Sequence, residues 1–437
     1  MTLDRRTYLK RGVMLTTAAA GMVPLAGCAS REEPEPEPQE PGENDEPEDP
    51  TDEGTLRIAT TEAFVTDEES ASVWLKEAFE DEYDDATVEW VLPATGVDHY
   101  IEREQRGFLP EVDAYVGLRP ADLEAVDEHL EDERLFRTLN LDRIDNAANV
   151  RPGLGIDDPD GRLLPVSTHY SCLLCNSELT EVPGDFEDLL DADYEDAVIT
   201  PSPTGGGRGQ ALLSYLYDRE GSDGALGQWD ALEDNGLDRR ASWEEVLTAY
   251  QDEERPIAVA YAGDALAAID SKIGPDPAAE EREGNETAPP SEPDTDPAKA
   301  DNETTTDPLE DDDDGGGSDD NDDENGYDEV PEAYQVTYFD GESYAEPYFM
   351  AIFDNALNLD LAYSFLEFTL TETAQAAIAP RLGQYPARSI DGLEFEDDHR
   401  AYQEYAWEPA DVSTLDYETR RTDVPALLEA WTETFDS

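Results

Sequence analysis

Asp113-Ala114-Tyr115-Val116-Gly117-Leu118, followed by Arg119-Pro120 and the run Ala121 to His129, decides the fold. The first six residues read as a buried strand, and proline at a first-turn position suits the helix that follows. Upstream, Leu56-Arg57-Ile58-Ala59-Thr60 and Ala86 to Leu92 read as strands. Between them, Ser72 to Glu80 carries Val73, Leu75 and Phe79 among the apolar positions of an amphipathic helix. Strand alternating with helix predicts an open, mostly parallel α/β sheet. Downstream, Leu163 to Cys175, Ala197 to Thr200, Ile257 to Tyr261 and Tyr348 to Phe353 read as strands. Gln210 to Tyr217, Leu359 to Leu370 and Thr371 to Ala379 read as helices. Two α/β lobes with the chain crossing between them are expected. The first comprises 55–168 and 346–437, the second 169–274 and 331–345. Ligands of such sheets sit in the cleft outside the carboxyl ends of the strands.

The 437 residues hold 109 acidic and 28 basic side chains, a formal net charge of −81. Binding of nucleic acid or an anionic surface through a basic patch is excluded. Only four of the basic residues are lysines (Lys10, Lys76, Lys272, Lys299). At 1 M salt the Debye length falls to about 3 Å, which screens the self-repulsion of such a surface. An extremely halophilic source, an archaeon, is the expectation. Four histidines and three cysteines leave little material for a zinc or iron–sulfur site, and a disulfide framework is out of reach. Cys172 and Cys175 are three apart on a strand, so they face opposite sides and cannot join.

The N-terminus reads as an address. Asp4-Arg5-Arg6-Thr7-Tyr8-Leu9-Lys10 has the form of a twin-arginine export signal, and the apolar run Gly12 to Ala26 is short for a membrane span. Leu25-Ala26-Gly27-Cys28 has the form of a lipobox, so residues 1–28 are expected to be a signal that leaves a lipid on Cys28. Residues 29–54, with 12 acids against one base and alternating Pro and Glu, read as a disordered stalk. Residues 275–330, with 23 acids against two bases, read as a disordered insertion. It contains the sequons Asn285-Glu286-Thr287 and Asn302-Glu303-Thr304.

Further landmarks follow in order: Pro165 to Asn176, Pro203-Thr204-Gly205-Gly206-Gly207, Trp243-Glu244-Glu245, Val259-Ala260-Tyr261, Tyr385-Pro386-Ala387-Arg388 and a closing helix around Trp431. From Thr55 to the end, without the acidic insertion, this collinear set resembles the extracellular solute-binding proteins of ABC importers, most of all the thiamine-binding group. The resemblance implies a two-lobed type II periplasmic-binding-protein fold, no catalysis and no cofactor. It also implies a monomer that delivers its solute to an ABC permease at the extracellular face of the cell membrane.

Thiamine is a flat aromatic cation, which calls for ring faces and nearby negative charge. The resemblance assigns stacking to Trp243 and Tyr261, and places Tyr170 and Tyr385 in the cleft. Thr204-Gly205-Gly206-Gly207-Arg208-Gly209 joins a strand to a helix N-terminus and suits an anion such as a phosphate tail. Two positions depart from the group's pattern. Arg119 follows Gly117-Leu118 where an acid is usual, with Asp122 close by, and Gly383 stands where a tryptophan is usual. Arg119 and Arg208 could meet a phosphorylated thiamine. Iron, polyamine and phosphonate binding stay open as alternatives within the class. An extracellular hydrolase is the remaining class, and it lacks a Gly-x-Ser-x-Gly nucleophile elbow. His169 is the one general-base candidate, with no nucleophile placed beside it.

Overall fold

The computed structural model describes residues 54–66, 69–130, 134–273 and 332–436. The export signal, Cys28, almost all of the stalk and the acidic insertion lie outside the described residues.

Eleven strands form the sheet: β1 (Thr55–Ala59), β2 (Thr87–Val91), β3 (Ala114–Leu118), β4 (Leu164–Cys175), β5 (Val198–Pro201), β6 (Asp238–Arg240), β7 (Ile257–Tyr261), β8 (Gln335–Thr337), β9 (Glu342–Ile352), β10 (Tyr385–Pro386) and β11 (Asp411–Ser413). The order is β2-β1-β3-β9-β4-β7-β5-β6, with β8 and β10 paired to β4 and β11 to β9. Both flanks are parallel, as the alternating pattern predicts: β1 with β2 and β3, β5 with β6 and β7. The centre is antiparallel, because β4 and β9 run against each other and against β7 and β3. These two long strands join the halves. Leu164 to Tyr170 of β4 pairs with β9, while Ser171 to Cys175 pairs with β7.

Among the described residues, ten helices flank the sheet: α1 (Ala71–Glu82), α2 (Asp98–Gln105), α3 (Pro120–His129), α4 (Gly207–Asp234), α5 (Trp243–Gln251), α6 (Ala262–Ile273), α7 (Leu359–Thr369), α8 (Glu372–Arg381), α9 (Arg400–Tyr405) and α10 (Tyr417–Phe435). Strand alternation divides the core, and an irregularity between Val116 and Leu118 turns Leu118 to the Tyr115 side. Ala114 and Val116 of β3 pack with Phe79 and Ile352, whereas Tyr115 and Leu118 pack with Tyr100, Leu123 and Phe136. Cys172 and Cys175 are free, buried and in different core clusters, on opposite faces as the three-residue spacing requires.

The expected division sends residues 346–437 wholly to the first lobe, and α10 departs from it. Its first residue, Tyr417, packs with Leu123 and Val126 of α3. Further along, Trp431 sits edge-on against Trp229 of α4, ring centroids 5.4 Å apart, in the core of the other half. The helix therefore straps both halves together. Among the described residues, no helix is long and apolar enough to cross a membrane.

Candidate functional site

Two adjoining cavities open at the carboxyl ends of the strands and share Arg119 and Tyr348. One, of about 390 Å³, lies over the ends of β1, β2 and β3 and is lined by Thr61, Glu62, Leu92 and Tyr115. The other, of about 300 Å³, is bounded by the start of α3, the start of α4, the middle of β9 and α10. Glu124, Gly206, Gly207, Glu346 and Arg420 line it. A larger depression of about 690 Å³ lies at the opposite ends of β1 and β2, beside Gly54 and Asp85. The carboxyl-end cavities are the candidate ligand site by the topology of open α/β sheets.

The glycine loop owes its shape to two residues in left-handed conformation, Gly206 (φ 75°) and Gly207 (φ 57°). They turn the chain from β5 into α4 and bring its first amides to the smaller cavity. A side chain at Gly209 would collide with the Pro201 carbonyl, its Cβ 2.2 Å from the oxygen, so the helix can start this close to the strand only with glycine. Thr204 and Gly205 sit apart. The Thr204 hydroxyl meets Ser202 at 2.9 Å, and its side chain borders a depression beside Leu428 and Thr432.

Trp243 and Tyr261 are brought together, by Arg208. Ser242 caps α5, accepting the Glu245 N–H at 3.3 Å, and so presents Trp243 at the first position of the helix. The Arg208 guanidinium lies 4.2 Å from the Trp243 ring centre and 4.6 Å from that of Tyr261. It also makes a two-pronged ion pair with Asp264, Nε to Oδ2 at 2.7 Å. Arg208 is thus not the free phosphate contact the sequence suggests, because its charge is matched by Asp264 and its plane is taken by two rings. Tyr261 has a second neighbour in His169, stacked 4.3 Å away at an interplanar angle of 7°. Burial, then Arg208, pushes the His169 pKa down to about 3, so the imidazole is neutral and ill-suited as a general base near neutral pH.

Tyr170 and Tyr385 do not reach the cleft. They are 0% and 1% exposed, and their rings meet at 4.9 Å inside the core. Arg151 donates to the Tyr170 hydroxyl at 3.1 Å, and the Tyr385 hydroxyl donates to the Trp407 carbonyl at 3.3 Å. Strand alternation is the reason: His169 faces Tyr261, so its neighbour Tyr170 points to the other side. Gly383 adopts φ 62°, and its carbonyl would lie 2.1 Å from a Cβ on Gly263. The backbones of α6 and the α8 terminus touch where the thiamine-binding pattern has an indole. Arg119 does line both cavities, tied to the acid anticipated nearby. Its N–H donates to Asp122 Oδ2 at 2.8 Å and its Nη2 meets Oδ1 at 3.2 Å.

Sequence reading did not single out the cavity residues Glu124, Glu346, Tyr348 and Arg420. The signal was Glu346-Pro347 interrupting the apolar run Tyr344 to Phe353, since proline inside a strand marks a break in pairing. Among the described residues, no group of three or more His, Cys, Asp or Glu side chains could hold a metal ion.

A family profile described as bacterial extracellular solute-binding protein matches residues 124–275. Among solved structures, a periplasmic thiamin binding protein is 15% identical with a TM-score of 0.54, covering 87% of this chain and 95% of its own. An ABC transporter from Clostridium perfringens is 14% identical with a TM-score of 0.58, over 86% and 99%. A Trichodesmium protein in complex with iron and citrate is 13% identical with a TM-score of 0.58, over 86% and 99%. The fold is the two-lobed type II binding-protein fold. No curated protein sequence matches the chain. Profile and fold together support the class of ABC-transporter solute-binding proteins, and the neighbours' solutes differ, thiamin in one and iron with citrate in another.

Proposed function

We propose that this chain is the extracellular solute-binding component of an ABC importer, that it works as a monomer, and that thiamine is its solute. The carrying observation is the smaller cavity, lined by Glu346, Glu124, Tyr348 and Arg420, whose guanidinium is held by the Leu415 carbonyl and the Thr414 hydroxyl and is in no ion pair among the described residues. Arg119 is neutralised by Asp122. Two carboxylates on the wall of one cavity, beside an aromatic ring, suit a flat aromatic cation. Because Arg208 is matched by Asp264, thiamine itself is favoured over its phosphates. Calorimetry with thiamine, its monophosphate and its diphosphate tests the reading. The expected result is a heat for thiamine and affinity for the diphosphate no tighter. Silence with all three ends the vitamin assignment and leaves the solute-binding class standing.

The export signal, lipobox and stalk support a lipid anchor on Cys28 at the outer membrane face, reached by twin-arginine export. The −81 charge supports a halophilic setting. Fractionation of cells carrying Cys28→Ser is expected to find the protein released to the medium or unprocessed. Membrane retention equal to wild type refutes the anchor.

A further inference from the structure

We infer that Glu346 is the group by which the cleft selects a cationic solute. The inference rests on the solute-binding reading but not on thiamine as the solute. Glu346 lies on β9 opposite His169 of β4, at the middle of the two strands that join the halves. Groups from both halves reach the space in front of it: Arg119 from one, Gly206 and Gly207 from the other. Its carboxylate accepts one hydrogen bond, from the Tyr261 hydroxyl at 3.1 Å. A carboxylate offers about four acceptor positions, so most of this one is unused. Other sheltered acids are more fully matched: Asp127 and Asp158 by Arg162, Asp264 by Arg208, Glu408 by Arg151, and Asp113 by the backbone N–H groups of Arg57 and Asn358. Glu346 is in no ion pair among the described residues; Arg420, Arg119 and Arg208 act on it only at longer range. Burial raises its carboxyl above the ordinary range, and those three arginines with the Tyr261 bond pull the other way. A protonated or quaternary nitrogen, or an N–H donor on a cationic ring, would complete its coordination on the half-buried cavity wall. A walled-in charge is screened by salt far less than one on the rim, so this selection persists in concentrated salt.

The test compares wild type, Glu346→Gln and Glu346→Asp as folded full-length protein in about 2 M KCl, where rim charges are screened. Thermal shift and calorimetry are read against thiamine, choline, spermidine, citrate and inorganic phosphate. Wild type is expected to respond to a cationic member. Glu346→Gln, which keeps the shape and an acceptor for Tyr261, is expected to bind that member about tenfold or more weakly. Glu346→Asp keeps the charge one methylene back and is expected to fall between them, which guards against a folding defect in the Gln variant. A cation other than thiamine, lost in the Gln variant, upholds Glu346 and removes the thiamine assignment. Thiamine bound equally by wild type and Glu346→Gln does the reverse. A wild type that responds to anions alone, or to no member, overturns the inference.

Discussion

Arg162→Ala is expected to lower unfolding free energy by about 3–5 kcal/mol, the cost of leaving buried carboxylates without their cation. The Arg162 side chain is 7% exposed and grips two acids at once. Its Nη1 and Nη2 donate to Asp127 at 2.6 and 2.9 Å, and its Nε and Nη2 donate to Asp158 at 3.1 and 2.7 Å. The Tyr417 hydroxyl donates to Asp127 as well, so the cluster joins α3, the loop before β4 and the first turn of α10. Burial alone would raise the Asp127 carboxyl; hydrogen bonds from Arg162 and Tyr417 hold it below its ordinary value. Its stabilising effect is therefore present above the unfolded carboxylate pKa and lost as pH falls through the native one. Arg106 is the contrast, a 65% exposed partner of Glu102 whose removal is expected to change stability by less than about 1 kcal/mol. Chemical denaturation at two salt concentrations separates them. An Arg162→Ala loss under about 1 kcal/mol, or one abolished by salt, would show that the cluster is not a buried ion-pair network.

Arg162 also marks where sequence reading stops. The parallel flanks were legible because β1, β3 and β7 are short, bounded apolar runs alternating with amphipathic helices. Cys172 and Cys175 were legible because period-two geometry needs no partner. The site was less legible, since its contacts join residues far apart in the chain. Tyr170 lies on the strand expected to line the cleft, yet its side is set by the register that opposes Ser171 to Tyr261. Arg208 was visible as a cation at a helix start, whereas Asp264, which neutralises it, is 56 residues away. Three helices escaped for local reasons, one of them α9, which is only six residues long. In α2 only Tyr100 and Ile101 are buried, too few to show a period, and α6 follows β7 without a break. The β9 strand begins at Glu342 and not Tyr348, because its polar first half is held by β4 and β11.

Arg208 sets the sign of the last prediction. As a free anion contact, its loss would penalise thiamine diphosphate and spare thiamine. Paired with Asp264 and lying against Trp243 and Tyr261, it acts as the pin that holds two rings in place. Arg208→Ala removes the pin and leaves Asp264 unpaired, with only the Tyr261 N–H at 2.9 Å still on that carboxylate. Affinity for thiamine and for its diphosphate is therefore expected to fall together, each by about tenfold, with their ratio changed less than about twofold. Trp243→Ala removes the ring that Arg208 lies against, a cation–π contact worth about 0.5–2 kcal/mol, and through the loosened pin binding is expected to weaken by roughly several-fold to thirtyfold. It is also expected to abolish most of any ligand-induced tryptophan quench, while the core indoles Trp229 and Trp431 stay silent because both are fully buried. Calorimetry and fluorescence on the same preparations decide between the two roles. A diphosphate affinity that drops tenfold more than that of thiamine in Arg208→Ala would return this arginine to the anion site. Undiminished binding and quench in Trp243→Ala would place the solute on the Tyr348 side of the cleft, away from the pinned rings.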